Sequence, residues 1–300
     1  MNASTQQRIE FLQSYIRDSY KQLFQFDPQN IVGLKISKKI TGKKVRHNYS
    51  IVFQVARKKD KKKLVKTNYI PEYLLVRFPD GKFKKIKTDV QQTGKTRFHM
   101  GICRKPKRNG KIEVGTLGIV LVDDFDWLGL TNYHVAAFDR MLAGDFFFEG
   151  SDKKISVDGR QAEFIEGIFS DELDIAYLRM EPDGDDPNIM SDGSRIAGFI
   201  QSPIRPGIIG RQVMVYAKSN RNGRSARIKN NSTVFDTGFE GMQIIDVLQI
   251  HPIVTRKGDS GGLVVIDGDL LLGIVIGGDD EFTYAIPYHK INAFKSLPIA

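Results

Sequence analysis

Cysteine is all but missing from this chain: Cys103 stands alone among 300 residues, so no disulfide can close within it. A fold of this length must then be held by an apolar core rather than by covalent staples. Long apolar runs are missing too; no stretch of 18 or more residues could form a membrane-spanning helix. The first 26 residues lack the apolar segment and small-residue cleavage site of a secretory leader. A lone thiol and no leader together predict a soluble protein of the reducing cytoplasm, without a membrane partner. Repeats and low-complexity tracts are also lacking. What remains is an ordinary globular composition, 41% hydrophobic, with length enough for two or three compact units.

Acidic residues are scarce only in the first third. Residues 1–111 carry 28 Lys and Arg against 7 Asp and Glu, a net charge of +21, whereas the remainder carries 17 against 28, or −11. Such a step predicts two units with different surface duties. The basic one is expected to meet nucleic acid, an acidic protein, or the acidic part of its own chain. An autoinhibitory packing of one part on the other follows as a further expectation. No signature of a specific nucleic-acid reader accompanies the charge.

Ile9, Leu12, Ile16, Tyr20 and Leu23 recur at helical spacing between Ser4 and Phe24, with Ser4 or Thr5 placed as cap and Asp27-Pro28 as stop. Strand-like runs begin at Ile31 and Ser50. The segment around Asp80-Gly81 reads as a hairpin. Residues 1–98 are therefore expected to form a small α+β domain, and 94–112 a connection that contributes at most a first strand to the next unit. Beyond it, short apolar runs alternate with Gly, Asp, Asn and Pro turns, the pattern of a β-sandwich or barrel. His289 to Leu297 suggests a closing helix.

The sharpest motif is GDSGG, Gly258 to Gly262. It arises by chance in roughly one chain of this length in several thousand. A nucleophilic serine needs a tight turn that exposes its hydroxyl, and the amides of Gly258 and Ser260 can converge on a developing oxyanion. It also needs a base. TNYHVAAF sets His134 after an apolar strand, and DELDIAYL sets Asp174 at the start of another. An Asp beside a His fixes its tautomer, which gives the triad His134, Asp174, Ser260. Asp171 is the rival acid, but the run that follows Asp174 favours the latter. A nucleophile elbow would require a helix after Ser260, where LVVID reads as a strand.

TNYHVAA, DIAYL and GDSGG, in this order, resemble the trypsin-like (chymotrypsin-fold) serine proteases over nearly two-thirds of the chain. IVGLKISKKITGKK, YSIVFQVARKK, NYIPEYL and KTDVQQTG are similar to the domain that precedes the protease in plant narrow-leaf trypsin-like proteins and their bacterial relatives. The resemblance implies a mainly β fold with two six-stranded antiparallel barrels, about 99–200 and about 201–300, after the α+β domain. It implies a serine endopeptidase acting on protein or peptide substrates without metal or cofactor, under a regulatory partner. A substrate strand would pair with Val275, Ile276, Gly277 and Gly278. Val254, Thr255, Gly278 and Thr283 would shape the specificity pocket, with no acid at its floor; Asp279, Asp280 and Glu281 would line the rim. Ile276 departs from a serine that bonds the triad Asp in many relatives, so Asp174 needs another second partner. No new N-terminus precedes the barrels to pair with Asp259, so the oxyanion loop is expected to be held by internal contacts. The silent alternative is a protease-fold scaffold whose basic domain binds nucleic acid or an acidic protein. His47, His99, His251 and His289 are expected to be non-catalytic, and the loop Pro182 to Ser194 a solvated turn rather than a calcium site.

Overall fold

The computed structural model describes residues 3–41, 44–59, 69–98, 115–124, 126–151, 154–157, 160–182 and 187–300. Cys103, His99 and most of the lysine-rich segment lie outside them, as does the side chain of His47. Helix α1 spans Ala3–Phe24. It begins before Ser4, so neither Ser4 nor Thr5 is its cap. Ile9, Leu12, Ile16, Tyr20 and Leu23 are all buried, since spacings of three and four put them on one face. That face covers strands β1 (Ile31–Thr41) and β2 (Lys44–Val55), with Val76, Ile86, Val234 and Ile245 completing the cluster. Each such side chain contributes about 1.5–3 kcal/mol by leaving water. Strands β3 (Tyr73–Arg77) and β4 (Phe83–Gln92) form the expected hairpin, and β5 is the short piece Arg97–Phe98.

Among the described residues, the first sheet of the acidic part has six strands. It contains β6 (Val120–Asp123), β7 (Asp126–Thr131), β8 (Phe147–Glu149), β9 (Lys154–Val157), β10 (Arg160–Phe169) and β11 (Asp174–Met180), ordered β6-β7-β11-β10-β8 with β9 on β10. Two short helices, α2 (Tyr133–Ala136) and α3 (Phe138–Leu142), follow β7. The second sheet is larger, with 12 strands among the described residues. Its strands from the acidic part are β12 (Gly198–Phe199), β13 (Gln212–Ala217), β14 (Asn220–Asp236), β15 (Gln243–His251), β16 (Leu263–Ile266), β17 (Leu270–Gly278) and β18 (Thr283–Pro287). Helix α4 (Tyr288–Phe294) closes the chain where it was expected. The molecule is thus mainly β, with two sheets and a leading helix, as the sequence predicted. No helix among the described residues is long and apolar enough to cross a membrane.

The expected boundaries are not breaks in the sheets. β14 has 17 residues, and its first half pairs with β13 through Gln212↔Arg227 to Ala217↔Asn220. Its far end pairs with β1 through Gly33↔Phe235, Leu34↔Val234 and Lys35↔Thr233. A strand that outruns its neighbour leaves an open edge, and β1 closes it. The second sheet therefore continues, β14-β1-β2-β4-β3, into the basic part. It also takes in β5 and β12 on β17, although the resemblance places residues from about 99 to about 200 in the first barrel. The two barrels of six antiparallel strands are observed as one sheet of six and one of 12, and two pairs, β2–β4 and β12–β17, are parallel.

Lys35 sits at this seam, buried. Its Nζ donates to Gln249 Oε1 at 2.8 Å and lies 4.8 Å from the Phe282 ring centre. Gln249 and Gln54 both donate to the Tyr284 hydroxyl, which donates to Asp279 Oδ2 at 2.7 Å. Burial brings the Lys35 ammonium down from 10.5 to about 8, against the opposing pull of Asp279 and Glu281. Between those two values the unfolded chain holds the proton that the folded chain has released, so stability rises with pH there. Below the lower value the cost of the buried charge is fully present. Unfolding in urea should therefore show the wild type gaining on Lys35→Met between about pH 8 and about pH 10.5. A difference that stays flat over that range would rule out this reading of the seam.

Candidate functional site

His134 lies in α2, a four-residue turn set by the end of β7, and Asp174 opens β11. Pairing of Ala176 with Thr131 brings these two strand ends together. Asn132 fixes the junction by donating its Nδ2 to the Asp174 carbonyl at 2.8 Å. Asp174 Oδ2 is 2.5 Å from His134 Nδ1, and Oδ1 accepts the His134 backbone N–H at 3.0 Å. A carboxylate can only accept, so Nδ1 carries a proton and, in the neutral ring, Nε2 presents its lone pair. That Nε2 is buried and has no hydrogen-bond partner among the described residues. The second partner that Asp174 needed is therefore a backbone amide of the base itself. Asp171, the rival acid, instead accepts the Tyr20 hydroxyl at 3.0 Å and so anchors α1. Burial and this carboxylate push the Tyr20 phenol up to about 12.

Ser260 lies in the turn between Gly258 and Gly262, ahead of β16. Its Oγ donates to the Ile276 carbonyl at 3.0 Å rather than to His134. The two residues nonetheless share a neighbourhood: a Cβ built on Gly115 would meet both the Ser260 carbonyl oxygen and Val135 Cγ1 at 3.1 Å. Around the turn, Asp259 accepts the amides of Ser219 and Arg256, each at 2.8 Å, and the Ser219 hydroxyl. Thr116 adds a brace, with its Oγ1 donating to the Gly258 carbonyl at 3.0 Å and accepting the Lys218 amide at 3.1 Å. Among the described residues, neither the Gly258 nor the Ser260 amide donates to a backbone carbonyl. Contacts inside the folded chain thus occupy the Asp259 carboxylate.

The residues proposed for the specificity pocket converge. Val254 N–H donates to Thr283 Oγ1 at 3.2 Å, the Thr255 and Thr283 hydroxyls are 2.7 Å apart, and Gly278 pairs with Thr283. All are buried, apolar or hydroxylic. Of the acidic rim, Asp279 turns inward: it accepts the amides of Glu281 and Phe282 and the Tyr284 hydroxyl, and burial raises its carboxyl above the usual range. Asp192, in the acidic loop, accepts the Tyr216 hydroxyl at 2.8 Å and closes a turn on Ser194. His251 lies beside Phe282, and His289 belongs to α4, where burial and Lys290 depress its basicity.

Two participants were not read from the sequence. Thr116 gives no local signal, because its role depends on the Gly258 carbonyl 142 residues away. Phe98 stacks on the His134 ring, centroids 4.0 Å apart and planes 19° apart. It belongs to β5, which pairs antiparallel with β17 through Gly277↔Phe98 and Gly278↔Arg97. Two strand residues flanked by polar neighbours carry no periodicity to find.

No family model and no curated protein sequence matches this chain. Solved structures do. A Nocardiopsis protease is 15% identical with a TM-score of 0.45, the match covering 61% of this chain and 90% of that one. Thermobifida fusca protease A is 14% identical, TM-score 0.44, over 61% and 90%. A Cellulomonas bogoriensis chymotrypsin is 15% identical, TM-score 0.43, over 61% and 89%.

Proposed function

We propose that the chain is a serine endopeptidase that cuts protein substrates through an acyl-enzyme. The observation that carries this reading is the His134–Asp174 pair: a buried imidazole with its Nδ1 on the carboxylate and an Nε2 without a partner among the described residues, in the neighbourhood that Gly115 shares with Ser260. The reading requires the Ser260 hydroxyl, which donates to the Ile276 carbonyl at 3.0 Å, to turn from it to Nε2. As Oγ attacks the scissile carbonyl, its proton passes to Nε2, and Asp174 stabilises the imidazolium. The amides of Gly258 and Ser260 receive the oxyanion. Collapse returns the proton from Nε2 to the leaving amine. Water, deprotonated by the same nitrogen, then releases the acyl group and restores Ser260.

A specificity pocket shaped by Val254, Thr255, Gly278 and Thr283, as the sequence implies, would be neutral and would fit an uncharged substrate side chain better than Lys or Arg. Asp279, the buried acid that follows Gly278, is taken up by the Glu281 and Phe282 amides and the Tyr284 hydroxyl, so among the described residues it does not stand ready to replace the water that a cation would lose. Asp259, held by Ser219 and Arg256, makes a newly cut N-terminus unnecessary for shaping the turn. An acidic partner or nucleic acid would find its surface on the outer face of β3–β4, where Tyr73, Leu75 and Phe83 are exposed and Lys85 lies 4.6 Å from the Tyr73 ring centre. The test of the main reading is covalent. A fluorophosphonate probe should label the wild type at Ser260, located by peptide mapping, and leave Ser260→Ala untouched. A wild type that stays unlabelled after prolonged exposure would refute the peptidase.

A further inference from the structure

The edge of β17 that a substrate strand needs is already taken. β5 lies on it, antiparallel, with Arg97 opposite Gly278 and Phe98 opposite Gly277. The approach is close: a Cβ on Gly277 would meet the Arg97 carbonyl oxygen at 2.3 Å, so only glycine admits this strand. Running from Arg97 to Phe98, the chain moves towards Ser260, because the next register step on β17 is Ile276, whose carbonyl holds the Ser260 hydroxyl. Phe98 thus takes the place of the substrate residue just before the one whose carbonyl would be attacked. Its ring covers the imidazole and lies 5.9 Å from the Phe169 ring centre and 6.2 Å from that of Phe235. Under this cover His134 is 1% exposed and Ser260 0%. The strand is anchored upstream as well, where Asp280 N–H donates to the Thr93 carbonyl at 3.1 Å.

We infer that Thr93 to Phe98 is a built-in substrate mimic. It fills an aromatic subsite bounded by His134, Phe169 and Phe235, and a true substrate must displace it. The inference rests on the peptidase reading for its meaning, and it narrows the substrate class. The favoured peptide binds extended along Gly277 and Gly278 and offers a large aromatic side chain next to the residue that is cut. β-Augmentation explains why self-occupancy works: main-chain hydrogen bonds supply affinity for any strand, and the side-chain pocket selects among strands. A tethered strand competes at high effective concentration, so even a weak internal ligand keeps the site closed. Autoinhibition by the basic part as a whole thus narrows to six residues that reach the catalytic cleft.

The test separates occupancy from catalysis. A fluorescent peptide copying residues 93–98 is titrated against Ser260→Ala and against the same protein carrying Phe98→Ala. Vacating the subsite should tighten peptide binding by about tenfold or more; Phe98→Leu, which loses only the ring stacking, should give about threefold. Phe98 is only partly buried, and Phe98→Leu keeps most of its volume, so at least one variant remains folded. Equal or weaker binding in both variants would overturn the mimic. In the Ser260 background, Phe98→Ala should react with the fluorophosphonate faster than the wild type. Tighter peptide binding with no labelling of any Ser260 form would uphold the mimic and refute the peptidase. Labelling at one unchanged rate, with no gain in peptide affinity, would do the reverse.

Discussion

Replacing His134 with alanine is expected to lower the turnover of a fluorescent denatured protein substrate by about 10⁶-fold, and adding Ser260→Ala should cost little more. The two groups act as a unit. Without Nε2 the hydroxyl keeps its proton, and without the hydroxyl the base has nothing to activate. Asp174→Asn should cost less, about 10⁴-fold. The amide can still accept the His134 N–H, but its NH₂ facing Nδ1 would favour the tautomer with the proton on Nε2, where the lone pair is needed. Initial rates of the three single variants and the His134→Ala/Ser260→Ala double variant decide the matter. Losses that multiply in the double variant, or an Asp174→Asn enzyme near wild-type rates, would show that this constellation is not the catalytic unit.

The second large effect is structural. Gly261 has φ of +94°, and a Cβ there would lie 1.9 Å from the Thr116 carbonyl oxygen and 2.7 Å from Thr131 Oγ1. That carbonyl has little freedom to retreat: Thr116 N–H donates to the Ser260 carbonyl at 3.0 Å, and Thr131 Oγ1 donates to the Thr116 carbonyl at 2.9 Å. Gly261→Ala should therefore part the Thr116 segment from the nucleophile turn. The expected cost is about 3 kcal/mol or more, from overpacking added to strain at positive φ. Probe labelling of Ser260 should be lost with it. Gly268→Ala is the control, since it has the same φ of +94° with nothing near its Cβ, so only the conformational strain of about 1 kcal/mol remains. Urea unfolding of both separates the two causes. Equal destabilisation would remove the steric argument.

Much of the candidate site was legible because the chemistry expected of it is local. GDSGG specifies a turn, and TNYHV and DIAYL each set a functional group at a strand end. The stripe Ile9, Leu12, Ile16, Tyr20, Leu23 reads as a helix because the period of 3.6 is fixed by backbone geometry. The rest depends on which strand lies beside which. The pattern along Ile31 to Thr41 shows which side chains face inward, yet nothing in it names β14 as neighbour, since main-chain hydrogen bonds are the same for every partner. For the same reason the sequence could not show that Arg97 and Phe98 lie against Gly278 and Gly277, nor that the second contact of Asp174 is an amide.

The amino-acid order alone therefore determined the kinds of element, their succession, and the three residues whose types suit acyl transfer. Tertiary structure alone decided that the basic part shares the 12-stranded sheet with strands of the acidic part and that its last described strand lies on β17 with Phe98 against His134. Side-chain periodicity is a short-range property written into neighbouring residues. Edge pairing is a contest among all open strands, settled only when the whole chain has folded.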